Sequence, residues 1–157
     1  MQGIDFDAMD RVLDAWQKIV REFPERKGEA LERLGQTVEK RVKESIAGSP
    51  DGGRMTLQAW QRYYLGSKRG YVAVRPIGGI SGPNGPGAIT NYNENGHAIR
   101  KPSGIQKPGY KYRPRIKKAR VDGQHFYYRV DNTVNSEAER VLKELAEEFA
   151  QRMDDAS

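Results

Sequence analysis

Apolar residues recur at intervals of three or four along three stretches of the chain, and each interval pattern predicts a helix. Phe6, Met9, Leu13, Trp16, Val20 and Phe23 fall on one face of a helix over 6–23. Asp5 and Asp7 stand at its start, where carboxylates suit the helix dipole. Pro24 ends this helix or kinks it. A second stripe, Leu31, Leu34, Val38, Val42 and Ile46, predicts a helix over 25–47, with Gly48 as its stop. Gly35 lies inside that helix at a cost of about 1 kcal/mol relative to alanine, which marks close packing against another backbone. The opposite face alternates charge, as in Glu39-Lys40 and Lys43-Glu44, and reads as solvated. The third stripe, Ala138, Val141, Leu142, Leu145, Phe149 and Met153, predicts a helix over 136–153, opened by the capping box Ser136-x-x-Glu139. The remaining four residues are expected to fray.

The middle of the chain follows a different pattern. Ser49 to Gly53 is a turn cluster. Two β-prone runs, 58–65 and 71–77, flank Gly66-Ser67-Lys68-Arg69-Gly70 and predict a hairpin; a short helix over 56–64 competes for the first run. Val72, Val74 and Pro76 take one face of the second run, and Tyr71, Ala73, Arg75 and Ile77 the other. Residues 78–87 are rich in glycine and proline and cannot supply a core. They are not a phosphate loop, because no Lys-Ser/Thr follows the glycines. Residues 88–95 predict a short helix or strand closed by Gly96. Residues 121–130, with Phe126, Tyr127, Tyr128 and Val130, predict an aromatic return to the core, where Trp16, Trp60 and Tyr63-Tyr64 are also expected. The expected fold is α+β: a small antiparallel sheet packed by a long N-terminal helical region and a C-terminal amphipathic helix. It forms a single domain over 1–157, helical at 6–47, sheet and loops at 54–130, and helix at 136–153.

Composition narrows the function classes. The chain of 157 residues has no cysteine, so disulfides, thiolate metal sites and thiol nucleophiles are excluded. Mean hydropathy is −0.85, and no apolar run approaches the roughly 20 residues of a membrane span. The opening MQGIDFDAMD is acidic and does not read as a signal peptide.

Charge changes the picture most. The net charge is +6, yet residues 100–120 alone carry nine basic and no acidic groups: Arg100, Lys101, Lys107, Lys111, Arg113, Arg115, Lys117, Lys118 and Arg120. Everything else sums to −3, with residues 121–157 carrying four basic and nine acidic groups. Pro102, Pro108 and Pro114 within the basic stretch forbid a helix and spoil a central strand, so a long extended loop is expected. Its anchors are the paired signals Gly96-His97 on one side and Gly123, His125 and Phe126 on the other. A charge confined to one loop points to a directed contact: with nucleic acid, with an acidic protein face, or with the acidic C-terminal part of a neighbouring copy.

The order of these signals resembles the tail-completion, or head–tail joining (minor tail component), family of long-tailed bacteriophages. The resemblance rests on an N-terminal helical region, the Gly53-Arg54 turn and a strand pair ending in Tyr71-Val72-Ala73-Val74-Arg75-Pro76. These are followed by Asn95-Gly96-His97, a variable basic loop, Val121-x-Gly123-x-His125-Phe126 and a closing amphipathic helix. It spans about residues 7–153, and its weight lies in order and spacing rather than in any one short motif. The glycine-rich loop at 78–87 and the basic loop at 100–120 are longer than in commoner members, so no family contact is carried over to them.

The resemblance implies a virion structural protein of the phage neck, assembling as a six-fold ring between the head connector or stopper and the tail tube or tail terminator. It implies no enzymatic activity, no cofactor and no membrane, with the host cytoplasm as the place of assembly. The free chain is expected to be monomeric. The basic loop is then expected to dock on a neighbouring protein. The alternative is a nucleic-acid-binding accessory protein acting through residues 100–120, where Tyr110 and Tyr112 interleave with Lys111 and Arg113 in a pattern suited to stacking on single strands. Docking is preferred, ahead of a solvated, disordered insertion, as charge runs usually are, and then of DNA contact, because a lumen lined by nine cations per copy would grip the passing genome. His97 and His125, with Glu94 or Asp122, meet the minimum for a zinc site, but no other signal supports one, and both histidines are read as structural caps at the loop's ends. No serine lies in a nucleophile elbow.

Overall fold

The structure, a computed structural model, describes residues 6–49, 55–99 and 119–155. In chain order the elements are α1 (Phe6–Ala47), α2 (Met55–Trp60), β1 (Gln61–Leu65), β2 (Val72–Pro76), α3 (Pro86–Asn95), β3 (Gly96–Ala98), β4 (Arg120–Asp122) and α4 (Phe126–Asp155). The architecture is α+β: two long helices with two small two-stranded antiparallel sheets, β1–β2 and β3–β4.

α1 and α4 run antiparallel along most of their length. Rungs of side chains set the register: Ser45 with Phe126 and Arg129, Leu34 and Ala30 with Val141, Arg26 with Glu148, Phe23 with Phe149, and Glu22 with Arg152. This pairing explains the first departure from the sequence reading. The two helices expected on either side of Pro24 are one helix of 42 residues with Pro24 inside it. A proline in a helix interior removes one hydrogen bond and costs about 3 kcal/mol. Here Pro24 is exposed, while its neighbours Phe23, Glu22 and Arg26 are all gripped by α4, so the partner helix carries the axis across the weak point.

The second departure is at α4. The capping box at Ser136 does not open this helix, which begins ten residues earlier, at Phe126. Ser136 is mid-helix, and its hydroxyl donates back to the Asn132 carbonyl at 3.1 Å. The predicted hairpin forms, with Tyr63 opposite Val74 and Leu65 opposite Val72. Both readings of its first run are partly right, since α2 occupies 55–60 and β1 starts directly after it. Residues 88–95 are helical.

The core lies where α1, α4, α2 and the hairpin converge. Val42, Ile46, Leu57, Phe126 and Val130 are buried together, with Trp60, Val74 and Tyr127 packed against them. A second cluster, Ala30, Leu34 and Val141, continues it along the helix pair under Val72. Gly35 is where the hairpin meets α1, but against side chains rather than the backbone expected: a Cβ there would lie 2.7 Å from Val72 Cγ2 and 2.8 Å from the Tyr63 ring. The hairpin is also tied to α1 by polar bonds. The Tyr63 backbone N–H donates to Glu39 Oε2 at 2.9 Å, and its hydroxyl to Glu32 Oε1 at 3.1 Å.

Beyond Ala30 the core stops. Ile19 is buried, but Leu13, Trp16, Val20 and Phe23 of α1 and Leu142 and Met153 of α4 are exposed. The expectation that Trp16 is a core residue is therefore corrected, and so is that for Tyr128, which faces outward from the first turn of α4. Periodicity placed these residues correctly on one face, but no described element covers that face. Among the described residues, no helix is long and apolar enough to cross a membrane.

Candidate docking node at the base of the basic segment

The chain must bring residues 99 and 119 together if the basic stretch is to be a loop on a folded body. β3 and β4 do this. Gly96 pairs with Asp122, His97 with Val121 and Ala98 with Arg120. One step further out, the Ile99 N–H donates to the Ala119 carbonyl at 2.9 Å. Residues 100–118 thus leave and return through adjacent strands. Eight of the nine cations named above lie in that stretch, outside the described residues; the ninth, Arg120, is exposed on β4 and donates to the Asn95 carbonyl at 3.0 Å.

The ribbon is short, so its base needs other support. Gly96 ends α3 with φ +72°, a region disfavoured for other residues. A Cβ there would strike the Val121 carbonyl, and one at Gly123 would strike the Glu94 carbonyl. Both glycines read as loop anchors are therefore places where two backbones touch. Next to them the Gln124 N–H donates to the Asn93 carbonyl at 2.7 Å, and the His125 N–H to the Glu94 carbonyl at 3.1 Å. His125 itself has φ +52° and turns the chain into α4.

Glu94 is the hub. Its side chain is buried, and its two carboxylate oxygens accept from the backbone N–H groups of Tyr127 (3.1 Å) and Tyr128 (3.3 Å). Those are the second and third residues of α4, whose N–H groups have no partner within the helix. A carboxylate from α3 thus does what an N-cap side chain does, and its charge lies at the positive end of the α4 dipole. This is why α4 starts at Phe126: the cap comes from 33 residues upstream. Beneath Glu94, Gln61 is fully buried and satisfied by Leu57, Thr90 and the Tyr127 hydroxyl, which donates to Gln61 Oε1. Burial of the Tyr127 phenol, with a smaller push from the Glu94 charge, raises its pKa to about 12.

Phe126, read as an anchor, is fully buried between Ile46 and Leu57. Its carbonyl accepts from the Ser45 hydroxyl at 3.0 Å. Arg129 completes the clamp, donating to the Gln124 carbonyl, the Ser45 carbonyl and the Ser49 hydroxyl at 2.7, 2.8 and 2.9 Å. These bonds fix the end of α1, the start of α4 and the foot of the ribbon as one rigid unit.

His97 and His125 are both exposed. The His97 ring stacks at a tilt on Tyr92, 5.4 Å between centroids. The turn-capping role expected of the imidazoles belongs to the Glu94 carboxylate and to backbone groups. Among the described residues, no three His, Asp or Glu side chains are grouped to hold a metal ion.

No family model, curated protein or solved structure matches this chain. The node must therefore be interpreted from its own chemistry. Sequence reasoning missed Glu94 as a cap and Gln61 as a buried polar hub. The one signal available for Glu94 was that it is the only acidic residue between Asp51 and Asp122.

Proposed function

We propose that this chain is a structural protein of the bacteriophage neck, completing the tail and joining it to the head connector through ring assembly and docking of the basic segment. The observation that carries the reading is the ribbon geometry. Residues 100–118, with eight cations and no anion, spring from one closed two-stranded base on a rigid node. A concentrated charge of one sign suits a directed contact, and the acidic residues of α4 on an adjacent copy or ring offer the matching charge. The order of motifs resembling the tail-completion family gives this neighbour its setting. On this reading the protein performs no chemistry, needs no cofactor and is located in the virion after assembly in the host cytoplasm.

The test mixes the pure protein with tail tubes or connector-bearing heads from the same particle and reads mass by light scattering. Incorporation at one end with a fixed copy number is the expected result. If the chain ignores both structures and instead shifts short DNA with a steep negative salt slope, residues 100–118 are a nucleic-acid site and the joint reading fails.

A further inference from the structure

We infer that the free ends of α1 and α4 form a self-association surface, and that its occupant is a second copy of this chain packed antiparallel against the first. The surface is a groove of about 450 Å³ whose wall is entirely apolar, built chiefly by Trp16, Val20, Phe23, Leu142, Phe149 and Met153. Val20 is 72% exposed, Leu142 65% and Trp16 45%.

Three observations select a second copy. The first is where the helices end. Phe23 stands level with Phe149. Asp155, the last residue of α4, lies six residues past Phe149 and so stands level with Gln17, six residues before Phe23. The eleven residues of α1 from Phe6 to Trp16 therefore lie past the level of Asp155, the last described residue of α4, about 16 Å of helix at the standard rise. Leu13 and Trp16 continue the apolar stripe along this overhang. A two-fold antiparallel partner is self-complementary here, since the overhang of each copy lies along the end of the other's α4. The second is area. The exposed parts of Leu13, Trp16, Val20, Phe23, Leu142 and Met153 amount to roughly 500 Å² per chain, so two copies bury about 1,000 Å² from these side chains alone, near the lower bound for a stable interface before any rim is counted. A patch of that size is at the upper end of what a lone chain leaves bare.

The third observation is charge. α1 from Asp10 to Glu22 carries three basic and three acidic residues, whereas α4 from Lys143 to Asp155 carries two basic and five acidic. Pairing α4 with α4 would oppose two net-negative helices. Pairing α1 with the partner's α4 brings Arg11, Lys18 and Arg21 towards that acidic end. The surface thus argues against the monomer expected from the sequence. The inference stands apart from the neck reading, because it is tested on the isolated chain without heads, tails or DNA.

The experiment is sedimentation of the full chain from about 1 to about 100 μM, a range that brackets the affinity expected of an interface at the small end of the size scale. The expected result is a shift from the 17.8 kDa chain to twice that mass. The Val20→Glu/Leu142→Glu double variant changes only exposed positions. It should keep its helical circular dichroism and weaken association at least about hundredfold, since each change occurs twice in a two-fold interface. A second variant, Lys18→Glu/Arg21→Glu, should weaken association by an amount that shrinks as salt is raised. A chain that stays monomeric at about 100 μM, the top of that range, overturns the inference. So does a double variant that associates like the wild type, or a monomer that dimerises only after residues 1–5 are removed, which would assign the groove to the chain's own N-terminus.

Discussion

Replacing Glu94 by alanine removes the carboxylate that holds the first turn of α4. Two backbone N–H groups, those of Tyr127 and Tyr128, then lose their acceptors at a half-buried site. Loss of an N-cap costs about 0.5–2 kcal/mol, and hydrogen bonds to a charged group contribute about 1.5–3 kcal/mol. The two bonds here are long, and removing a buried carboxylate recovers its desolvation cost, so about 2 kcal/mol is expected for Glu94→Ala. Glu94→Gln keeps one acceptor oxygen and loses the charge at the helix terminus, for about 1 kcal/mol. Urea unfolding reads both. With a slope of about 2 kcal/mol/M, the midpoint falls by about 1 M for alanine and about half that for glutamine. Hydrogen exchange at the Tyr127 and Tyr128 amides should quicken in step. The Tyr127 phenol should titrate below its value of about 12 yet stay above the ordinary 10, because burial is the larger cause and remains. A midpoint shift under about 0.3 M with unchanged exchange at both amides would show that the start of α4 does not depend on Glu94.

Other positions separate the structure from simpler readings of the sequence. Gly35→Ala gains up to about 1 kcal/mol in helix propensity but drives a methyl into Val72 and the Tyr63 ring, and overpacking costs about 1–3 kcal/mol, so thermal unfolding should show net destabilisation. Ser136→Ala should be neutral or stabilising by a few tenths of a kcal/mol, where loss of a true N-cap would cost about 1 kcal/mol; chemical denaturation decides between them. Burial raises the Glu39 carboxyl pKa, but Lys43, the Tyr63 N–H and Arg62 more than offset this and hold it below its ordinary 4.5. Its contribution is therefore present above that pH and is lost as pH falls through the lowered value, and Glu39→Gln should flatten the acid limb of a stability–pH curve. Gly123→Ala should detach the β3–β4 ribbon from α3, read as faster amide exchange at Ile99 and Gln124 with the helix pair intact.

Periodicity alone determined which faces of α1 and α4 are apolar, because residues three and four apart share a side of any helix whatever surrounds it. The hairpin and the return of Phe126 to the core were legible for the same local reason, since turn residues and β-prone runs act over a few positions; the element before Gly96 was legible, but not its choice of helix over strand. The concentration of charge in 100–120 is likewise a property of the sequence.

Only tertiary structure decided where the helices begin and how far they run. Pro24 and the Ser136 capping box are local stop and start signals, and both are overridden by contacts more than 30 residues distant: α4 bracing α1 across the proline, and Glu94 capping α4 ahead of the serine. A local signal is worth about 1–3 kcal/mol, and a packed helix face or a charged cap from elsewhere in the chain can match that. The same distinction applies to the exposed tip. The stripe from Leu13 to Phe23 reads as core because periodicity records only which side is apolar; among the described residues Val20 and Phe23 lie beside α4 with nothing over their outer side, and Leu13 and Trp16 lie past Asp155.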